Sequence, residues 1–365
     1  MNLVLGFLLA VAISLILSYF ALKLAKKYSL AMQQPRERDL HSKPISRLGG
    51  AAVVLSFLLV IIGYAIFASA SATDLGFPFA IFSLSIDKRL LGIILAVIFM
   101  SVVMLYDDFK GVPAYLKFAT QIVTALILIL TGVGITYLNN PFGLVIPLDT
   151  ISYPVQIGAN VFHFVFWADL LLIGWVLLMT NATNFIDGLD GLSGSLSFVA
   201  AVILAILSFQ MGQTAVAILA SVFAGAIFGF LFFNLPNAKI FLGDTGSMFL
   251  GLILAVLTFI SGGKLATVFL VFAIAIIDAI YVIVKRLIKG KNPFTSADQT
   301  HLHHRFLRAG LSKSATLFVI ILFSLAFGLS ALYLEPKLKL ITLGVLTILT
   351  LIMFISLDLK NKKVS

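Results

Sequence analysis

Long uninterrupted apolar runs recur along the whole of this sequence. Residues 2–22, 48–70 and 192–210 are three of them, and each approaches the roughly 20 residues that a helix needs to cross a bilayer. Hydrocarbon offers no water to unpaired N–H and C=O groups, so such runs must form helices. With 61% hydrophobic and 11% charged residues, the chain has too little charge to cover a soluble surface. The sequence therefore predicts an all-α polytopic membrane protein.

Eleven such runs predict eleven transmembrane helices. They lie near residues 2–22, 48–70, 88–105, 115–134, 164–180, 192–210, 214–233, 247–261, 265–284, 315–333 and 340–357. The first run could also be a signal peptide. It lacks a basic segment and a small-residue cleavage site, so we interpret it as the first span.

The basic residues determine the predicted orientation. Most Lys and Arg residues fall in one set of alternate loops, and loops rich in these residues stay in the cytoplasm. We therefore expect the N-terminus outside, the C-terminus in the cytoplasm, and a single integral membrane domain over residues 1–365. The net charge of +10 comes mostly from basic loop residues, which signal the topology and attract anionic lipid. Interleaved base-stacking aromatic residues are absent, so no nucleic acid is expected as a partner.

The informative polar residues all fall on the predicted cytoplasmic side. They occupy five segments, at about residues 23–47, 106–117, 181–192, 234–247 and 285–314. Acids and amides at the edge of a membrane are costly and need a reason. One active site on the cytoplasmic face is the simplest explanation. The absence of cysteine excludes disulfides and thiolate chemistry from it.

Three aspartates indicate a cation site. Asp107 and Asp108 are adjacent after the third run, and adjacent carboxylates resist double ionisation unless a cation is close. A solvated interfacial pair is the alternative. Asp244 lies between two glycines at the start of the eighth run, where a carboxylate either caps the helix or holds a divalent ion. Three acids on the same face favour magnesium.

The segment NATNFIDGLDGLSG, residues 181–194, predicts a polar pocket. Asn181, Asn184, Asp187 and Asp190 follow one another at intervals of three residues. On a helical segment this spacing aligns their side chains along one face. The alternative is a helix cap at Asp190 with the glycines packed on a neighbouring helix. Capping explains one acid but leaves the other three polar residues without a role.

A histidine cluster follows the ninth run. Its members are His301, His303 and His304. Three histidines could indicate zinc, but cysteine is absent and the acids suit a harder cation. Phosphate contact by the histidines and Arg305 is therefore favoured. Inside the ninth run, Asp278 is expected to pair with Lys285 or Arg286.

Five stretches between residues 41 and 305 form a specific combination. They are HSKPISRLGG, DDFKGVPAYLKFATQ, NATNFIDGLDGL, FNLPNAKIFLGDTGS, and the frame Asp278, Arg286, Gly290, Phe294, Asp298, His301, His303, His304. Together they resemble the polyprenyl-phosphate N-acetylhexosamine-1-phosphate transferase family, also called the MraY/WecA superfamily. The His-x-His-His pattern is most similar to its WecA/TagO branch. One departure is Met104, where the family usually has glycine.

The resemblance implies an enzyme that transfers GlcNAc-1-phosphate from UDP-GlcNAc to undecaprenyl phosphate and releases UMP. It implies Mg²⁺, with Mn²⁺ as a substitute, and it places the protein in the bacterial inner membrane as a homodimer within the lipid bilayer. By position, Asp107 and Asp108 are catalytic, and Asp244 binds the metal together with Asp108. The substrate-binding positions are Asn181, Asn184, Asp187, Asp190, Phe241, His301, His303, His304, Arg305, Arg47 and Lys43.

Two other functions compete with this expectation. The first is an MraY-like transfer of phospho-MurNAc-pentapeptide. The second is an ion-coupled transporter, whose acids should lie at mid-membrane on broken helices; here they gather at one interface. For the transferase we favour direct displacement over a covalent aspartyl intermediate, with Asp107 or Asp108 orienting the lipid phosphate or accepting its proton.

Overall fold

A computed structural model describes residues 2–34, 43–70, 88–138, 140, 142–157, 160–262, 265–288, 290 and 301–364. Within these residues the chain forms twelve helices. They are α1 (Leu3–Tyr28), α2 (Gly49–Ala70), α3 (Lys88–Lys110), α4 (Ala114–Leu130), α5 (Phe166–Ile186), α6 (Leu192–Gln210), α7 (Thr214–Asn234), α8 (Gly243–Ile260), α9 (Leu265–Ile288), α10 (Leu302–Arg308), α11 (Lys313–Tyr333) and α12 (Pro336–Val364). The protein is an all-α polytopic membrane protein.

Short antiparallel strand pairs, which the apolar runs did not predict, lie in the connections. They are β1 (Met32–Gln33) with β2 (Ile45–Ser46), β3 (Tyr137–Leu138) with β4 (Ile146–Pro147), and β5 (Ser152–Ile157) with β6 (Asn160–Val165). Each pair connects consecutive segments of the chain, so the strands fold back locally and leave the helical architecture unchanged.

Among the described residues, ten helices are long and apolar enough to cross a membrane. Each corresponds to one predicted run. The run predicted near residues 115–134 forms α4, an apolar helix of 17 residues that ends at Leu130. The short α10, of seven residues, precedes α11. The N-outside orientation remains a prediction.

The helix α8 lies in the interior of the bundle. Its residues from Thr245 to Phe259 are buried on all sides, as expected for a helix that is apolar all round. The ring of Phe249 makes edge-on contacts with Phe57 of α2 and Phe223 of α7, with centroids 5.4 and 5.7 Å apart. This packing fixes the beginning of α8, which carries Asp244.

The peripheral helix α1 packs along α7 through small side chains. Ala10, Ser14 and Ser18 recur every four residues on its buried face, and the hydroxyl of Ser14 donates to the carbonyl oxygen of Ala226, 2.5 Å away. Small residues of this kind allow close approach between membrane helices. The other face of α1 exposes apolar side chains such as Phe20, which suits contact with lipid.

The candidate site residues meet where several helices begin or end. Asn184, near the end of α5, contacts Ser247, near the start of α8, so these two helices run antiparallel. The segment before α2 joins the same place, because Phe241 N–H donates to Ser46 C=O at 2.8 Å and Gly49 N–H donates to Phe241 C=O at 3.0 Å. The ends of α3 and α5 and the start of α8 therefore share one end of the bundle.

Candidate active site

Three carboxylates converge at this end of the bundle. One oxygen each from Asp107, Asp108 and Asp244 can be chosen so that all three lie within 4.8 Å of one another. The first two acids are buried at the end of α3, while the Asp244 side chain at the start of α8 is 20% exposed. The predicted meeting of these acids is therefore present in the fold, and it creates a strong local demand for positive charge.

Lys117 of α4 supplies positive charge within this cluster. Its Nζ lies 2.6 Å from Asp107 Oδ2 and 2.5 Å from Asp244 Oδ2. The other oxygen of Asp107 accepts the Val112 N–H at 2.6 Å. Sequence reasoning counted Lys117 among the basic loop residues and gave it no role of its own within the stretch DDFKGVPAYLKFATQ. Its position on the first turn of α4, just after the short loop that follows α3, was the available indication that it returns toward Asp107.

The adjacent Asp108 makes a different set of contacts. Its Oδ1 accepts the Asp244 N–H at 2.9 Å, and its Oδ2 accepts the Thr245 N–H at 3.0 Å and the Thr245 hydroxyl at 2.6 Å. It therefore satisfies the unpaired N–H groups at the start of α8. Gly243 is required beside it, because its φ is +68° and a Cβ would lie 2.7 Å from both Asp108 oxygens. The cap that the sequence left open for Asp244 is supplied by Asp108.

The two asparagines of α5 bind neighbouring helices. The Asn181 amide donates to Gln121 Oε1 of α4 and to the Leu177 carbonyl, both at 2.8 Å. The Asn184 amide donates to Ser247 Oγ of α8 at 2.9 Å. Gln121 is buried and lies one turn after Lys117, so the Asn181 contact also supports the helix that carries Lys117. Sequence reasoning missed Gln121 and Ser247, since their relevance depends on helix packing.

The regular spacing of the NATNFIDGLDGL stretch aligns side chains on one helix face only within α5. The helix ends at Ile186 and Asp187 is its C-cap, so Asp190 does not continue the row. Asp190 Oδ2 instead accepts the N–H groups of Asn237 and Ala238 at 3.2 and 3.3 Å, which links the α5–α6 loop to the α7–α8 loop. Burial raises the pKa of Asp187 well above its usual range, and the nearby negative charge of Asp244 adds to the effect.

The segment before α2 brings further predicted residues to the site. Arg47 donates from Nε to Gln33 Oε1 at 2.9 Å, and its positive charge partly offsets the raised pKa of Asp187. Phe241 is held against this segment by its backbone hydrogen bonds. Lys43 is exposed at the beginning of the segment. The predicted grouping of Arg47 and Phe241 with the aspartates is thus present, whereas Lys43 lies at its exposed margin.

The histidine segment approaches the α5–α6 loop. His303 is buried, and a Cβ on Gly188 would lie 2.5 Å from its Nε2, so the glycine allows the His303 ring to approach the loop closely. Burial lowers the pKa of His303 well below its usual value, and His304 and His301 lower it further. Within the described residues, His303 Nε2 has no hydrogen-bond partner.

Two charged residues near the histidines depart from their expected surroundings. Arg305 is fully buried, with its guanidinium carbon 4.5 Å from the ring centroid of Tyr281 in α9 and 4.9 Å from that of Phe354 in α12. Asp278 does not pair with Lys285 or Arg286. In the described part of the chain its carboxylate contacts His301 and Leu302 instead, because α10 folds back onto α9.

Comparison with known proteins finds relatives over most of the chain. Residues 90–262 match the family described as Glycosyl transferase family 4. The chain is 28% identical over 358 residues to a probable undecaprenyl-phosphate N-acetylglucosaminyl 1-phosphate transferase of Bacillus subtilis, covering 96% of this chain and 90% of that protein. It is 31% identical to a decaprenyl-phosphate N-acetylglucosaminephosphotransferase of Mycobacterium tuberculosis, covering 88% and 81%. A phospho-N-acetylmuramoyl-pentapeptide-transferase of Staphylococcus carnosus is 28% identical over 61% of this chain and 67% of its own.

The helical bundle and its buried acids define a polytopic membrane protein with a polar site at one end of its spans. The two GlcNAc-phosphate transferase matches are long enough and similar enough to identify the family. The chain belongs to the polyprenyl-phosphate N-acetylhexosamine-1-phosphate transferase family.

Proposed function

We propose that this protein transfers GlcNAc-1-phosphate from UDP-GlcNAc to undecaprenyl phosphate and releases UMP. The observation that carries the proposal is the convergence of Asp107, Asp108 and Asp244 within 4.8 Å on a membrane-spanning scaffold. The names of the relatives from Bacillus subtilis and Mycobacterium tuberculosis support a polyprenyl-phosphate acceptor and a GlcNAc-phosphate product. We place the reaction at the cytoplasmic face of the bacterial inner membrane.

The donor atoms of the cluster fit Mg²⁺, which prefers carboxylate oxygens and retains positions for phosphate. Asp107 and Asp244 are the residues that would hold it, since both already face a positive charge, the ammonium of Lys117. The oxygens of Asp108 face the N–H groups at the start of α8 instead. When bound, Mg²⁺ would neutralise charge on the pyrophosphate as UMP departs. We therefore assign Asp108 to positioning Asp244, in place of the catalytic and metal-binding roles expected for it.

The chain itself supplies charge and orientation. An oxygen of the lipid phosphate attacks the phosphorus attached to GlcNAc, and the bond from that phosphorus to UMP breaks. An ammonium group has three N–H donors. Lys117 uses two of them on Asp107 and Asp244, so the third is available to a phosphate oxygen. A phosphomonoester is mostly deprotonated at neutral pH, so Asp107 contributes by orienting the acceptor more than by removing a proton.

The second candidate function is phospho-MurNAc-pentapeptide transfer, favoured by the Staphylococcus carnosus relative. Purified protein should be given undecaprenyl phosphate with radiolabelled UDP-GlcNAc or UDP-MurNAc-pentapeptide. We expect labelled lipid from UDP-GlcNAc alone, with one UMP released per lipid formed. EDTA should abolish the product and Mg²⁺ should restore it.

The matched controls are Asp244→Asn, which alters the cluster, and Asp169→Asn, which alters a buried acid of α5 that accepts the Val165 N–H. Labelled lipid from the pentapeptide donor alone would replace the proposed donor. Solute movement without any UMP release would indicate a transporter. Full activity in EDTA would remove the metal from the proposal.

A further inference from the structure

The carboxylate of Asp278 joins a membrane-spanning helix to the histidine segment. It is buried within α9, 2% exposed. Oδ1 accepts the N–H of Leu302 at 2.9 Å, and Oδ2 lies 2.9 Å from Nδ1 of His301. Leu302 is the first residue of α10, and His301, its N-cap, makes no side-chain cap hydrogen bond. Asp278 therefore supplies from another helix the acceptor that the cap residue does not provide.

The same contact determines which ring nitrogen of His301 carries a proton. We assign the proton between the two groups to Nδ1, because an ionised carboxylate has acceptors and no donor. A neutral ring held in this way presents Nε2 as an acceptor. Within the described residues, Nε2 of His301 has no hydrogen-bond partner, and the side chain is 14% exposed.

Two further rings fix the plane of His301. The His303 ring lies parallel to it, with centroids 6.1 Å apart and an interplanar angle of 2°. The Phe185 ring of α5 has its centroid 6.1 Å away. Phe185 precedes Asp187 by two residues, so His301 lies beside the end of α5. The ring therefore lies between two flanking rings and the Asp278 carboxylate, next to the end of α5.

We propose that Asp278 is a positioning residue that presents Nε2 of His301 as an acceptor for an O–H or N–H group of the sugar in the UDP-sugar donor. This inference rests on the proposed function. A hydroxyl or acetamido N–H donates to such a nitrogen, whereas a fully ionised phosphate oxygen has no hydrogen to donate. Of the phosphate and sugar contacts that the family resemblance implies for the histidine motif, His301 is therefore assigned the sugar.

The variant Asp278→Asn tests the tautomer directly. Its carbonyl oxygen can still accept the Leu302 N–H, but its amide donates toward Nδ1 of His301. The proton then moves to Nε2, which becomes a donor. We expect KM for UDP-GlcNAc to rise about 10-fold, the lower end of the effect known for carboxylates that orient metal-binding histidines, while KM for undecaprenyl phosphate stays unchanged. Asp169→Asn should leave both constants unchanged.

A double-mutant cycle separates this role from simple support of the fold. If Asp278 acts through His301, Asp278→Asn should add nothing in a His301→Gln background. The chain has five histidines, so the ring nitrogens of ¹⁵N-histidine-labelled protein can be assigned by single substitutions. The spectrum should show His301 with Nδ1–H in the wild type and Nε2–H in Asp278→Asn.

The outcomes distinguish a failure of the Asp278 inference from a failure of the proposed function. Equal rises in KM for UDP-GlcNAc with and without His301 would make Asp278 a structural residue and overturn the inference. The same His301 tautomer in both proteins would also overturn it, even if the variant folds poorly. Absence of GlcNAc-1-phosphate transfer by the wild type would overturn the proposed function and the sugar assignment, while the ring spectrum would still decide the Asp278 contact.

Discussion

The carboxylate cluster and the histidine segment hold their charged groups in opposite ways. In the cluster, Asp107 and Asp244 face the ammonium of Lys117 directly, and Asp108 faces backbone N–H groups. In the histidine segment, Arg305 lies between two aromatic rings and His303 is buried without a partner for Nε2 among the described residues.

This difference separates two kinds of dependence on the fold. Opposite charges at 2.5–2.6 Å respond to any change in local charge, including a bound cation or phosphate. Groups packed against rings respond mainly to the helices that carry those rings, here α9 and α12. Substitutions in the cluster should therefore change turnover, and substitutions of the buried Arg305 and His303 should first change stability.

The largest expected effect is a loss of turnover, and it should distinguish Asp107 from its neighbour Asp108. Asp107→Asn and Asp244→Asn should each lower turnover on the order of 10²–10³-fold, the size typical of losing one preorganised electrostatic contact. Asp108→Asn should lower the free energy of unfolding by about 1–3 kcal/mol, because the amide NH2 that replaces one carboxylate oxygen cannot accept that oxygen's hydrogen bonds from the start of α8. Radiolabelled lipid formation and unfolding in detergent measure the two quantities.

Asp169→Asn controls for the loss of a buried acid outside the site. If Asp108→Asn abolished turnover and left unfolding unchanged, Asp108 would be catalytic and the assigned separation of roles would be wrong. If Asp107→Asn changed turnover less than a few-fold, the assignment of Asp107 to the reaction would be wrong.

A smaller effect is expected at Arg305. Lysine keeps the charge but loses the planar face that stacks on Tyr281 and Phe354, so Arg305→Lys should lower the free energy of unfolding by about 1 kcal/mol. Tyr281→Leu, which removes one side of the same stack, should act similarly. A rise in KM for UDP-GlcNAc that is specific to Arg305→Lys would instead support the substrate contact expected from the sequence.

The smallest expected effect is a pH dependence at His303. Burial holds its pKa in the folded protein well below the ordinary 6.5. Below pH 6.5 the unfolded chain binds a proton that the folded chain excludes, so folding stability falls as the pH drops and is retained above that value. The melting temperature of the wild type should fall more steeply than that of His303→Gln between about pH 7 and pH 5.5. Equal slopes would show that His303 is not buried in its neutral form.

The sequence was sufficient for the spans and for the meeting of the acids, because both follow from local physical demands. A bilayer requires helices wherever runs such as 192–210 occur, and Asp107 and Asp244 are costly at a membrane edge without a common cation. The cap made by Asp108 could not be predicted from the sequence, since it depends on how α3 packs against α8. Lys117 was used for topology, and its contact with both acids depends on the return of α4. The partner of Asp278 was predicted wrongly because helical spacing cannot indicate that α10 folds back.

The Asp108 cap also has a consequence for how the protein is made. Its acceptor and the N–H group of Asp244 are 136 residues apart, and the ribosome must synthesise α4, α5, α6 and α7 between them. Until α8 docks on α3, the nascent chain has neither a completed cap nor a complete set of acids. Insertion of α8 is thus the step at which the cap and the three-acid cluster are completed together.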